Sequence, residues 1–124
     1  MENLLDASMD TIDFKKKLFQ IYNETNKEIY GSGVIELKIN VTHESIMFFT
    51  RHNRIQALKV LEKRYVVLKQ SVDHALFQEF KLLLGKKLKE RLELVPKVLL
   101  RDYDPGSKIA VTVVLLKDNL SDEK

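Results

Sequence analysis

Histidines are the first residues to consider for chemistry, and this chain has three of them. His43, His52 and His74 show no i, i+4 spacing and no HExxH motif, which are the local patterns of a zinc site. We therefore expect three surface histidines rather than metal ligands, unless the fold brings distant residues together.

Nucleophiles and thiolate ligands are equally scarce. The chain contains no cysteine, which excludes disulfides, thiolate zinc sites, iron–sulfur clusters and a cysteine nucleophile. None of its serines stands in a GxSxG motif or in another nucleophile context. We predict no catalytic residue, no cofactor and no metal, and therefore a protein that is not an enzyme.

Two carboxylates, Asp102 and Asp104, flank Tyr103 ahead of the turn sequence at 105–107. On one strand face they could bind a cation or act as an acid and a base. The alternative is turn chemistry, in which Asp104 accepts hydrogen bonds from backbone amides. We favour the turn, because cation sites usually need more oxygen ligands.

The segment Gly31-Ser32-Gly33 resembles a phosphate-binding loop only superficially. It precedes a predicted strand, whereas phosphate loops lead into the N-terminus of a helix. We expect these glycines to end a helix.

A group of basic residues lies towards the end of the predicted long helix. One interpretation is a site for phosphate, nucleic acid or anionic lipid. The other is structural, since cations are favourable near a helix C-terminus and are well solvated. Glu90 and Glu93 dilute the positive charge, which favours the structural interpretation. The basic residues are Lys81, Lys86, Lys87, Lys89 and Arg91.

The elements that must position these residues follow from hydrophobic periodicity. Apolar residues recur at helical spacing from Phe14 to Ile29, which predicts a one-faced helix that Asp10 or Thr11 caps. Apolar and polar residues then alternate over 35–41, and β-formers follow at 46–50. These two segments predict an antiparallel hairpin.

The middle of the chain is helical. Between 53 and 94 there is no proline and only one glycine, Gly85. One unbroken helix of that length would span about 60 Å, which is too long for a domain of this size. We expect a short helix near 54–62, a break at Lys63-Arg64 and a long helix near 66–93.

The long helix carries two apolar stripes on roughly opposite sides. We expect the first stripe to face the sheet; it comprises Leu68, Val72, Ala75, Leu76 and Leu83. The second would be an exposed apolar patch, which predicts a homodimer or a docked partner. A bend at Gly85 is the rival explanation, since it would return part of the second stripe to the core. The second stripe comprises Val66, Phe77, Leu84 and Leu88.

The last predicted elements complete the fold. Residues 98–103 read as a third strand, and Ile109 to Leu116 as a fourth that is apolar on both faces and therefore central or interfacial. We predict an α+β fold in the order α-β-β-α-α-β-β. Its four-stranded antiparallel sheet of two hairpins should be covered on one face by the first and long helices.

Composition bounds the class of protein. The 124 residues, 44% apolar and 31% charged, fit one domain over 10–117, with a flexible tail at 1–9 and a polar tail at 118–124. Basic and acidic residues (21 and 18) are interleaved with a net charge of +3, so nucleic acid is an unlikely partner. No signal-peptide pattern and no apolar run of about 20 residues occurs, so we expect a cytoplasmic protein without a transmembrane segment.

The order of elements, with three local sequences, resembles the MpsC-like family, long catalogued as a domain of unknown function. The resemblance covers about 14–117 and rests on diffuse patterns with no catalytic signature. The chain departs from the family pattern at Val34 and at 51–54, where the family has prolines. The three sequences are Ile29-Tyr30-Gly31-Ser32-Gly33, Val98 to Asp104 and Ser107 to Val113.

The resemblance implies a cytoplasmic accessory component of a bacterial sodium-translocating, membrane-potential-generating system linked to bicarbonate supply. Such a component would act through protein contacts, peripheral to the inner face of the membrane. The alternative function is a nucleic-acid or anion-binding module that uses the basic end of the long helix. Salt titration separates the two, because nucleic-acid binding weakens steeply with salt.

Overall fold

The computed structural model describes residues 8–53, 55–118 and 120. The first helix, α1, begins at Ser8, so the predicted tail at 1–9 is too long by two residues, and its first seven lie outside the described part. Of the predicted polar tail at 118–124, the structure describes only Asp118 and Leu120. Leu120 packs against the core, and its amide donates a hydrogen bond to the carbonyl of His43.

The order of elements is the predicted one. Helix α1 (Ser8–Tyr30) is followed by strands β1 (Glu36–Val41) and β2 (Ser45–Arg51), helices α2 (Gln56–Leu61) and α3 (Val66–Leu92), and strands β3 (Pro96–Asp104) and β4 (Ile109–Leu116). Gly31 has a φ of 88° and its amide bonds to the carbonyl of Lys27, so the first glycine does end α1.

The four strands form one antiparallel sheet in the order β1-β2-β4-β3. Both hairpins are confirmed, and β4 lies inside the sheet between β2 and β3, as its two apolar faces predict. Among the described residues the helices cover one face of the sheet, which confirms the predicted α+β architecture.

The core lies between that face and helices α1 and α3. Tyr22 of α1 stacks on Phe48 of β2 with ring centroids 4.6 Å apart, and it meets Phe80 of α3 edge-on at 5.2 Å. Its hydroxyl shares a buried 3.0 Å hydrogen bond with the hydroxyl of Thr112. Helix α1, helix α3 and the sheet therefore meet at one aromatic residue, Tyr22, whose hydroxyl has a hydrogen-bond partner.

The structure corrects the predicted roles of the two α3 stripes. Leu84 and Leu88 are fully buried in the core beside Phe80, so the prediction that they contact a partner is wrong. In the first stripe, Leu68 is 51% exposed, although it was predicted to face the sheet. Leu84 and Leu88 pack with α1 and the sheet while α3 runs as one continuous helix over 66–92.

Candidate functional site

A cavity of about 270 Å³ opens between the start of α3, the end of β2 and the β3–β4 hairpin. We call it the Arg101 pocket, after the only arginine in its described lining. Its size is near the lower limit of small-molecule sites. Its walls combine aromatic and charged side chains, among them Tyr30, His52, Asp73, Phe77, Arg101 and Tyr103.

Sheet register places Arg101 at the base of the pocket. It pairs with Thr112 of β4, whose side chain points into the core, so the arginine points to the helix-covered face. Its guanidinium carbon lies 4.6 Å from the ring centre of Phe80 and 5.2 Å from that of Tyr30. The ring of Phe77 is 5.8 Å away. Three aromatic rings thus surround the cation, which favours it electrostatically.

The hydrogen bonds of Arg101 leave part of its donor capacity unused. Nη1 donates to the hydroxyl of Tyr30 at 3.1 Å, and Nη2 donates to Nε2 of His52 at 3.0 Å. Nε is buried and has no partner in the described part of the chain. A guanidinium has five N–H groups, so three remain, and no carboxylate among the described residues forms an ion pair with it.

His52 is the centre of an aromatic stack. Its ring lies 5.4 Å from that of Tyr30 and 4.9 Å from that of Tyr103, with interplanar angles of 28° and 23°. Arginine can only donate, so Nε2 of His52 accepts and carries no proton. Nδ1 then donates to the carbonyl of Asn53 at 3.2 Å. Burial, and secondarily the charge of Arg101, lower the pKa of His52 below its ordinary value.

The outer wall of the pocket belongs to α3. Lys69 and Asp73 form an i, i+4 ion pair there. Burial raises the pKa of Tyr30, whose hydroxyl therefore stays protonated at neutral pH. The described lining of the pocket thus holds one unpaired cation, a neutral histidine and a neutral phenol, together with the Lys69–Asp73 ion pair and Asp102. This arrangement can bind a negative group beside a flat apolar one.

The predicted surface histidines divide into two kinds. His43 and His74 are exposed, as expected. His52 is only 3% exposed, so the prediction for this residue is wrong. Sequence analysis also missed Arg101 as a site residue. No local signal could have found the pair, because 49 positions separate the two side chains that meet.

The two carboxylates of the second hairpin follow the turn interpretation. Asp104 Oδ2 accepts bonds from the amide of Ser107 at 3.0 Å and from its hydroxyl at 2.7 Å. These bonds lower the pKa of Asp104. In the part of the chain that is described, no group of three or more histidine, aspartate or glutamate side chains could hold a metal ion.

The basic residues near the end of α3 do not form one open patch. Lys87 is buried and donates to Glu24 at 3.1 Å and to Glu28 at 2.6 Å, both on α1. Arg91 also bonds to Glu24 through two nitrogens, and these bonds lower the pKa of that carboxyl to about 2. Two of the five predicted anion-binding cations therefore join α3 to α1.

The remaining three basic residues are dispersed. Lys81 lies over the ring of Phe77 at 4.8 Å, while Lys86 and Lys89 are exposed. An extended phosphate backbone would need several free cations in a row. Lys87 and Arg91, which would connect the other three cations, are instead paired with carboxylates of α1.

The residues of the predicted interface are also separated. Val66 is 47% exposed at the start of α3, Phe77 lines the Arg101 pocket, and Leu84 and Leu88 are in the core. No helix within residues 8–53, 55–118 and 120 is both long enough and apolar enough to cross a membrane.

Comparisons of the chain with protein-family models, with curated proteins and with solved structures found no match. The site must therefore be interpreted from its own geometry.

Proposed function

We propose that the protein is a non-enzymatic binding domain that takes a small anionic molecule with a planar group into the Arg101 pocket. The observation that carries the proposal is the cation itself. Arg101 is partly withdrawn from water, has no carboxylate partner among the described residues and retains three N–H donors. An arginine fork matches a carboxylate in geometry and charge.

The walls of the pocket select for a flat ligand. Tyr103, His52 and Tyr30 form a stack, and the ring of Phe77 also lines the pocket. Aromatic faces favour offset or edge contacts with another ring. An aromatic or unsaturated carboxylate satisfies both requirements, with its oxygens at Arg101 and its ring among these side chains.

Benzoate is the simplest probe, and neutral benzamide is its near-isosteric control. An NMR titration should show benzoate perturbing residues of the pocket, with affinity at least ~10-fold above that of benzamide, since only benzoate gains charge-assisted bonds. Arg101→Met should abolish this preference, and Arg101→Lys should weaken binding because the planar fork is lost.

Arg51→Met is the matched control, because Arg51 is exposed and pairs with Glu36 at the β1–β2 edge. It should leave benzoate binding unchanged. Equal affinities for benzoate and benzamide, or full binding by a folded Arg101→Met variant, would contradict the proposal. Melting temperatures of all three variants identify any that fail to fold, and Arg101→Lys keeps the test decisive if Arg101→Met does not fold.

A second candidate is the accessory role in a membrane cation-translocating, membrane-potential-generating system. The observation that favours it is the apolar start of α3, where Val66, Val67 and Leu68 are 47%, 76% and 51% exposed. Such a surface suits contact with a protein partner. The test compares binding to inverted membrane vesicles of the source cells with binding to liposomes made from their extracted lipids.

Binding to the vesicles alone, lost in Val67→Asp, supports a membrane-protein partner. Binding to both preparations or to neither contradicts this role. Binding to the liposomes would instead indicate a direct lipid contact.

A further inference from the structure

The face of the sheet that turns away from the helices is unusually apolar for a surface. In an antiparallel sheet with one solvated face, the outward positions are commonly polar. Here the described outward positions of β4 are all apolar, and those of β2 and β3 include further large apolar side chains. Phe49, Leu100 and Ile109 are 39%, 56% and 46% exposed. The open face comprises Met47, Phe49, Val98, Leu100, Ile109, Val111, Val113 and Leu115.

The rim of this open face carries Lys38 and Glu36 on β1 and two carboxylates, Asp102 and Asp104, on β3, and Glu36 is already paired with Arg51 of β2. Register aligns Lys38 of β1 with Phe49, Phe49 with Val111, and Val111 with Asp102 of β3. One row across the sheet therefore reads cation, apolar, apolar, anion. The two charged ends are three strand spacings apart, about 14 Å. They are too distant to pair within one chain, and neither forms an ion pair with a described residue.

This row is complementary to itself. A two-fold axis parallel to the strands, midway between β2 and β4, reverses the strand order but keeps each row at its own level. A second copy stacked on the open face would then place its Lys38 over Asp102 and its Phe49 over Val111. Because a two-fold interface uses every contact twice, both ion pairs form together. Stacked sheets lie about 10 Å apart, which lysine and aspartate side chains can span.

The area of the open face is sufficient for a reversible dimer. Four strands at about 4.8 Å spacing are roughly 19 Å wide, and the eight residues of β4 extend about 26 Å. The flat footprint is therefore about 500 Å² per chain, or about 1,000 Å² in total. This is near the lower limit for a specific interface, so we expect micromolar rather than nanomolar association.

We propose that the protein forms a two-fold homodimer by face-to-face packing of its sheets through the open face, with Lys38 of each copy paired to Asp102 of the other. The occupant is a second copy because reversal brings Lys38 over Asp102. The neighbouring row ends in Glu36, which already pairs with Arg51, and in Asp104, which accepts bonds from Ser107. Arg101 points to the opposite side of each sheet, and Asp102 is the one described residue that lines the Arg101 pocket and also belongs to the proposed interface.

Sedimentation velocity of the full chain from 1 to 200 µM tests the proposal. We expect a concentration-dependent dimer for the wild type and a monomer for Val111→Asp, whose carboxylate would be desolvated at the centre of the interface. Lys38→Asp and Asp102→Lys should each weaken the dimer at least ~10-fold, since each places two like-charge pairs in contact. The double variant should restore it.

Lys86→Asp is the control for net charge, since this exposed lysine lies on α3 away from the open face. Melting temperatures identify any variant that fails to fold, and the charge-swap pair keeps the test decisive if Val111→Asp does not fold. A monomeric wild type at 200 µM overturns the proposal. A dimer that survives Val111→Asp, or a double variant that stays monomeric, also overturns it.

Discussion

The two halves of α3 differ in almost every physical respect. The C-terminal half, from Phe80 to Leu92, contributes all four residues of this helix that are buried: Phe80, Leu84, Lys87 and Leu88. The N-terminal half, from Val66 to Leu76, contributes none, and Val67 is 76% exposed. The C-terminal half of α3 is therefore packed in the core, and the N-terminal half forms one wall of the Arg101 pocket.

Length explains the difference. The 27 residues of α3 extend about 40 Å, whereas the eight residues of β4 extend about 26 Å. The sheet therefore cannot cover the whole helix, and the uncovered half stands beside β3 and the end of β2. The space left between them is the Arg101 pocket. Asn53 and Ile55 between β2 and α2, Leu58 of α2 and Pro105 of the β3–β4 turn complete its walls.

The largest expected effect comes from truncating a buried side chain in the C-terminal half of α3. Leu84→Ala should lower the free energy of unfolding by about 2–5 kcal/mol, because Leu84 is fully buried and its removal leaves a cavity. Leu68→Ala, at a 51% exposed site in the other half, should change it by less than about 0.5 kcal/mol. Urea unfolding of both variants measures the contrast, and equal effects would refute the division of α3.

The next effect concerns the ion pairs that join the C-terminal half of α3 to α1. Lys87→Ala should cost about 1.5–3 kcal/mol, because this buried ammonium bonds to Glu24 and Glu28. Arg91→Ala is the matched control. Arg91 bonds to the same Glu24 from a 44% exposed position, so its loss should cost less than about 1 kcal/mol. A larger loss of stability in Arg91→Ala than in Lys87→Ala would show that burial does not decide the strength of these ion pairs.

A smaller effect depends on pH and on the pocket. The pKa of His52 is lowered in the folded state, so between its folded value and about 6.5 the unfolded chain binds more protons. The contribution of His52 to the free energy of unfolding is fully present above pH 6.5. It is lost on acidification, by at most about 1.4 kcal/mol per pH unit.

Urea unfolding at pH 7.5 and pH 5.5 measures this loss. The difference between the two pH values should shrink in His52→Gln and persist in His74→Gln, whose histidine is exposed. An unchanged pH dependence in His52→Gln would show that this histidine is not the titrating group.

The smallest effect is expected at the start of α3. Val67→Ala should leave the melting temperature within about 2 °C of the wild type, because the side chain is 76% exposed. Differential scanning calorimetry would detect a larger change. A drop as large as that of Leu84→Ala would mean that the N-terminal half is itself part of the folding core.

Sequence patterns alone determined most of the fold. The one-faced α1, the alternation in β1, the break at Lys63-Arg64 and the Asp104 turn are local features, and each is present in the structure. The start of α1 differs, because the helix begins at Ser8, ahead of the predicted caps Asp10 and Thr11. Antiparallel pairing and the inner position of β4 also followed, because short turns and two apolar strand faces leave few alternatives.

Only the tertiary structure decided which residues of α3 face inwards: Leu84 and Leu88 come from the second stripe, and Phe80 belongs to neither stripe. Both stripes are apolar, so hydrophobicity could not rank them, and packing against Tyr22 and Phe48 selected Phe80, Leu84 and Leu88. The Arg101 pocket has the same origin. Tyr30, His52 and Arg101 come from separate elements, and contacts between residues so distant in the chain leave no periodic trace in the sequence.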